Sequence, residues 1–252
     1  MNRKLTLVAL AVSFTLANCY THEAFAGQKI RSGSYQGRKT SGTFQHTSNR
    51  GKGQASKSTT WQNQNGQGNR QSQANWDKKA GSGSYSSSTN YATGKTSSRS
   101  GTVTKNQDGS ISQRGTITGT GGKTVNVQGT YSKNEDGSRA VSKTYTGPQG
   151  KALEVDKTIR KTESGKTVKG TYSTTTGKSG KFESINTVSE GKVTKDQSLT
   201  NQDGKVWQRD IETTRDGRTI NRDVTTTNPY GKVNSYSESV TFDSPGSNDT
   251  QD

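Results

Sequence analysis

The chain has 252 residues and a formal charge of +16, from 36 Lys and Arg against 20 Asp and Glu. Residues 27–252 contain 2 Leu, 7 Ile, 12 Val and 3 Phe, about 11% of that segment and well under the roughly 20% below which a highly charged chain tends not to fold compactly. With 30 Gly and a mean hydropathy of −1.09, this composition argues against a large buried core and an ordinary globular enzyme fold.

The N-terminus reads as an export signal. Asn2-Arg3-Lys4 is a positive leader, Leu5 to Leu16 is mostly apolar, and Ala24-Phe25-Ala26 offers small residues before a cut between Ala26 and Gly27. The apolar run is shorter than the ~20 residues a membrane span needs, so no transmembrane span is expected in the mature chain. Leu16-Ala17-Asn18-Cys19 also resembles the lipobox of bacterial lipoproteins, with Asn18 standing where a small residue is expected. Cleavage after Ala26 removes the single cysteine, and a disulfide-free exported protein suits a bacterial source. The expected location is secreted, periplasmic or cell-surface.

Residues 27–100 hold twelve Lys and Arg against one acid, Asp77, and only Ile30 and Phe44 from the Leu, Ile, Val and Phe set. This basic, low-complexity segment predicts disorder, because burial there is too small to offset ordering entropy. Its spaced aromatics, Trp61, Trp76, Tyr85 and Tyr91 among them, are candidate stacking residues on a disordered arm.

Residues 101–242 predict an all-β repeat. Asn106-Gln107-Asp108-Gly109, Asn134-Glu135-Asp136-Gly137, Asn201-Gln202-Asp203-Gly204 and Asn228-Pro229-Tyr230-Gly231 share one turn plan, with Gly at the left-handed position. Asp108–Glu135 aligns with Asp136–Glu163, and Asp203–Arg215 with Asp216–Asn228. The expected architecture is an antiparallel β-meander of about ten short strands in a thin or single-layer sheet, with a β-solenoid as alternative. Trp207, Arg209, Ile211 and Thr213 fall on one face, as do Ile220, Arg222, Val224 and Thr226. Residues 243–252 form a short acidic tail, expected to be frayed.

Thr146-Gly147-Pro148-Gln149-Gly150-Lys151, Thr118 to Lys123 and the Asn-x-Asp-Gly turns resemble the repeats of uncharacterised exported bacterial proteins rich in TGPxGK-type units. The resemblance covers 101–242 and implies no activity. A weaker one, to curli-type amyloid repeats, rests on Ser58, Gln64, Gly66 and Asn69, with Gln71 and Asn75 departing from the pattern and only one unit present.

No enzyme is expected. His46 is the only histidine after residue 26 and falls in the segment expected to be disordered, so no Ser-His-Asp or Cys-His set is expected elsewhere. No cofactor or metal is expected either. Asp108, Asp136, Asp203 and Asp216 sit beside turn glycines and read as turn caps. The candidate chemistry is charge. In a meander, Lys123, Lys151, Lys181, Lys205 and Lys232 would share one edge, each directly after a turn glycine. The expected partner is an anionic polymer (lipopolysaccharide, acidic polysaccharide or extracellular DNA), with no small-molecule substrate. The alternative function is self-association into a β-rich matrix or fibre.

Overall fold

The computed structural model describes residues 27–38 and 40–243. The residues form a closed antiparallel barrel of sixteen strands. The first six strands are β1 (Gly27–Gln36), β2 (Ser41–Gly51), β3 (Gln54–Asn63), β4 (Gly66–Asp77), β5 (Ser82–Asn90) and β6 (Thr96–Lys105). The next five are β7 (Ile111–Thr118), β8 (Thr124–Lys133), β9 (Arg139–Thr146), β10 (Ala152–Thr162) and β11 (Gly165–Thr174). β12 (Ser179–Ser189), β13 (Lys192–Asn201), β14 (Val206–Asp216), β15 (Thr219–Thr227) and β16 (Val233–Phe242) complete the circuit. Each strand pairs with the next, and β16 returns to β1.

Two expectations are corrected here. The sheet is neither an open meander of about ten strands nor a solenoid. The segment 27–100, expected to be disordered, supplies β1 to β5 and the start of β6. The proposed export signal, the Ala26 side of the cut and the acidic tail beyond Asp243 lie outside the described residues; Gly27 opens β1.

The two faces of the wall differ sharply. Cross-strand partners point the same way, so one row can be followed from Tyr85 through Gly101, Gly115, Val127 and Tyr145 to Leu153. The buried strand side chains Ser87, Gln113, Val127, Val141, Ile211 and Val224 all belong to this face. Its alternate neighbours are mostly exposed, as in β4, where Trp76 is half-buried between exposed Asn75 and Asp77. In a closed barrel, side chains converge on the concave side and diverge on the convex one. The shielded face therefore lines the lumen.

The outward face is mostly Ser, Thr, Asn and Gln with the strand carboxylates. Its exposed aliphatics Ile30, Ile185, Val206 and Val233 stand singly. This reverses the apolar-out, polar-in arrangement of barrels that sit in lipid. Only Val127, Val141, Ile211 and Val224 are buried apolar residues among those described, so no packed core fills the interior. Sixteen strands at roughly 4.8 Å give a perimeter of about 77 Å before tilt, wide enough for an aqueous lumen.

Aromatic rings take the place of an aliphatic core. Gly33-x-Tyr35, Gly42-x-Phe44, Gly83-x-Tyr85, Gly129-x-Tyr131, Gly170-x-Tyr172 and Gly180-x-Phe182 put a glycine and a ring on the inner face of the same strand. Rings then cover glycines of neighbouring strands. Trp61 lies on Gly68, Trp76 on Gly83, and the Tyr85 hydroxyl reaches across Gly101 and Gly115. A methyl group at Gly101 or Gly115 would meet that hydroxyl at 2.6 or 2.7 Å, closer than any real contact. The seam between β1 and β16 has only four paired residues, Gly33 to Gln36. It is reinforced by an edge-on Phe44–Phe242 pair, with centroids 5.9 Å apart, and by Arg31 over Phe242 and Arg38 over Tyr236.

Candidate anion-binding rim and lumen

Alternate hairpin turns lie at one end of the barrel. There, lysines follow the left-handed glycines Gly94, Gly122, Gly150, Gly177, Gly204 and Gly231, whose φ values run from +71° to +79°. The lysines are Lys95, Lys123, Lys151, Lys178, Lys205 and Lys232. Each occupies the same turn position: its carbonyl accepts the amide N–H four residues earlier at 2.8–3.0 Å, as in Gly119 to Lys123 and Asn228 to Lys232. The turn geometry thus repeats a cation at every second loop over the last twelve strands.

Four of the five expected rim lysines, Lys123, Lys151, Lys205 and Lys232, are brought together on this end. Lys181 is not. The turn glycine between β11 and β12 is Gly177, and Lys178 takes the rim position. Gly180 is inside β12, where its bare Cα accommodates the Tyr172 ring at 2.7 Å from an added Cβ. Lys181 consequently points outward from the wall of β12. The sequence reading missed Lys95 and Lys178, although both follow a glycine in the same hairpin register.

The stacking aromatics are also relocated. Trp61, Trp76 and Tyr85 are on the inner wall rather than on a disordered arm, the tryptophans with ring atoms against a glycine and Tyr85 with its hydroxyl end. Tyr91 is in the β5–β6 turn at the lysine end and is 40% exposed. Tyr230, at the same end, is 79% exposed; Lys205 stands 5.5 Å over its ring and donates to its hydroxyl at 3.3 Å.

Charge is sorted between the two faces. Among the described strand carboxylates, only Glu238 points inward. It pairs with Arg222 at 3.1 Å. Outward cations meet outward acids, as in Lys169–Glu183 at 3.0 Å, Lys192–Glu212 at 2.8 Å and the Arg160–Asp136 pair. Inward cations have mainly each other. Burial, then the charges of Lys157 and Arg99, bring the Lys143 ammonium down to about 8. Burial, then Lys166, lowers Lys157. Burial, then Arg209, Lys166 and Arg222, lowers Lys195. Arg99 is lowered by burial and by Arg70, and His46 by burial, Lys57 and Arg31. Every one of these shifts disfavours the cation, through burial first and the neighbouring positive charges of the same wall second.

Among the described residues, no three His, Cys, Asp or Glu side chains cluster as a metal site, and no helix is long and apolar enough to cross a membrane. No family model, curated protein or solved structure matches the chain.

Proposed function

We propose that this is a non-enzymatic, exported bacterial surface-interaction protein that holds anionic polymers by charge. The candidates are lipopolysaccharide, acidic polysaccharide and extracellular DNA. The observation that carries the reading is the arc of turn lysines, Lys95, Lys123, Lys151, Lys178, Lys205 and Lys232, set in one turn geometry at one end of the barrel. Neighbouring members are two strands apart, roughly 10 Å at the usual strand spacing, a comb that a charged chain can follow. The exposed rings of Tyr91 and Tyr230 lie at the same end. Self-association by strand pairing has less support, since β1 and β16 pair with each other and leave no free edge strand.

The test is binding of the folded chain to heparin, lipopolysaccharide and DNA across a salt series. Affinity should fall steeply with salt. Changing the six rim lysines to Gln should flatten the log–log slope by up to about one per lysine engaged. An equal number of Lys or Arg changes at the opposite end should do less. Equal losses from both ends, or no binding at low salt, would reject the reading.

A further inference from the structure

We propose that the inner wall of β5 to β9 carries a second, discrete site, in which Arg99, Lys143 and the Tyr85 hydroxyl take a sulfate- or phosphate-type oxyanion. It does not rest on the lysine rim.

The floor of the site is glycine. Gly101 of β6 and Gly115 of β7 pair directly, and Gly129 of β8 pairs with Gln113 of β7. All three point inward, so the wall lacks side-chain bulk over three consecutive strands. Tyr85 enters across this floor from β5. Lys143 enters from β9, lying so low on Gly129 that its Cγ would stand 2.9 Å from a Cβ there. Its ammonium sits over the Tyr131 ring, 5.1 Å from the centroid.

A polar bridge fixes these groups. Gln113 is only 5% exposed. Its Oε1 accepts from the Tyr131 hydroxyl at 2.6 Å, and its Nε2 donates to the Tyr85 oxygen at 2.6 Å. The direction of both bonds follows from the amide's chemistry. Tyr85 accepts in this bridge and therefore keeps its own O–H proton to donate. The Arg99 Nε is buried and has no hydrogen-bond partner. Arg99 is the next inward residue to Gly101 on β6, beside the Tyr85 hydroxyl, and its charge acts on Lys143.

What the neighbourhood lacks is a counter-ion. The one inward strand carboxylate, Glu238, is committed to Arg222 on the far wall, at the β15–β16 pair. A tetrahedral oxyanion matches these groups in charge and valence. It brings two negative charges to two cations, and several acceptor oxygens to directed N–H and O–H donors.

The experiment titrates inorganic sulfate into the full folded chain at low ionic strength, read by calorimetry and by the thermal midpoint. A short heparin oligosaccharide is the second titrant, so that a free ion and a sulfate borne on a sugar are told apart. Saturable binding of either titrant, at least tenfold weaker in Arg99→Gln and in Lys143→Gln, supports the site. Gly129→Ala gives an independent readout, because its methyl must displace Lys143; it should weaken sulfate binding while both cations remain. The six-lysine rim variant should bind sulfate as the unchanged chain does, even where it has lost polymer.

Sulfate keeps its charge between pH 7 and 9, so its affinity should fall across that range as Lys143 deprotonates. The groups facing Lys143 are Tyr85 of β5, Arg99 of β6, Tyr131 of β8, Tyr145 of β9 and Lys157 of β10; burial raises both Tyr131 and Tyr145, keeping them neutral there. No saturable sulfate or oligosaccharide binding, or unchanged binding in folded Arg99→Gln and Lys143→Gln, overturns the proposal. Loss of polymer binding in the rim variant with sulfate retained leaves the lumen site standing alone.

Discussion

Residues 27–105 and 106–243 build the same hairpins from different materials. The first segment carries a single acid, Asp77, and almost no aliphatics. The second carries every ion pair described, from Arg160–Asp136 to Arg222–Glu238, and all four buried aliphatics. Yet strand length, inward parity and pairing hardly change between them; β3 and β4 pair over ten residues, as do β10 and β11. Neither ion pairs nor aliphatic burial is therefore needed to make a strand of this barrel. The shared parts are left-handed glycine turns, a complete backbone ladder, and rings laid on glycines. Closure supplies what each part lacks alone, because a strand in a ring has no unpaired edge.

The strongest way to break the comparison is to remove closure. Expressed alone, residues 27–105 lose the partners of β1 and β6 at once and have no aliphatic core to fall back on. Their amides should exchange with solvent without protection, while the same amides in the whole barrel are protected. Persistent protection in the fragment would show that the ring-on-glycine contacts suffice by themselves.

Next in size are the rings. Trp61→Ala uncovers Gly68 in the first segment, and Trp207→Ala removes a ring in the second, where the cross-strand neighbour is Leu199. We expect Trp61→Ala, whose ring is only half-buried, to cost about 3 kcal/mol, the low end for a tryptophan, and Trp207→Ala less, from denaturant midpoints at constant slope. The reverse order would mean that the second segment carries the first.

The polar bridge comes third. Gln113→Leu leaves the Tyr131 and Tyr85 hydroxyls without their shared partner, and should cost roughly 1–3 kcal/mol. Tyr85→Phe keeps the end of the ring over Gly101 and leaves Gln113 its bond to Tyr131, so it should cost less.

The lumen cations give a pH signature. Lys143 titrates near 8 in the fold against about 10.4 unfolded. Between those values the unfolded chain binds more protons, so stability rises with pH from about 8 to about 10. The full penalty applies below 8 and is at most about 3 kcal/mol, less with solvent screening. Above 10, the raised Tyr131 and Tyr145 act the other way, since the unfolded tyrosines lose protons first. Urea midpoints against pH should therefore peak near pH 10, and the alkaline rise should shrink in Lys143→Gln, leaving the part due to Lys157 and Lys195.

Much of the second segment can be read from its sequence. The Asn-x-Asp-Gly turns mark real hairpins at Gly109, Gly137 and Gly204, and the Trp207–Thr213 and Ile220–Thr226 sets each lie on one face as read; the structure adds that they pair, Ile211 with Val224 and Thr213 with Arg222. The first segment was illegible for a physical reason. Composition tests for order count aliphatic burial, and this wall buries rings on glycine instead. The signal lay in the spacing: Gly33-x-Tyr35, Gly42-x-Phe44 and Gly83-x-Tyr85 repeat the Gly129-x-Tyr131 of the second segment. Closure was illegible because it depends on how sixteen strands curve together. Lumen charge followed from closure, since an Arg interrupting an apolar face is unremarkable until that face becomes concave. At the rim, reading Gly180 as a turn misassigned Lys181, because Gly177 and Gly180 are chemically alike and only the register separates them.

The smallest expected effect asks whether the ion pairs of the second segment hold anything. Asp108 and Asp136 occupy twin turns. Each accepts the N–H of the serine two residues on at 2.9 Å and its O–H at 2.6 Å. Only Asp136 also meets Arg160. Both carboxyls lie below the ordinary range, and in both the serine hydroxyl is the largest cause, Arg160 ranking low for Asp136. Arg160→Gln should then raise the Asp136 titration only to the neighbourhood of Asp108, followed site by site in NMR spectra against pH. Ser138→Ala should raise it further. Stability held by either carboxyl is present above the unfolded value and lost as pH falls through the folded one, so acid unfolding of Arg160→Gln should track the unchanged chain. A jump of Asp136 to the ordinary range in Arg160→Gln would instead make the ion pair, absent from the first segment, part of what shapes the second.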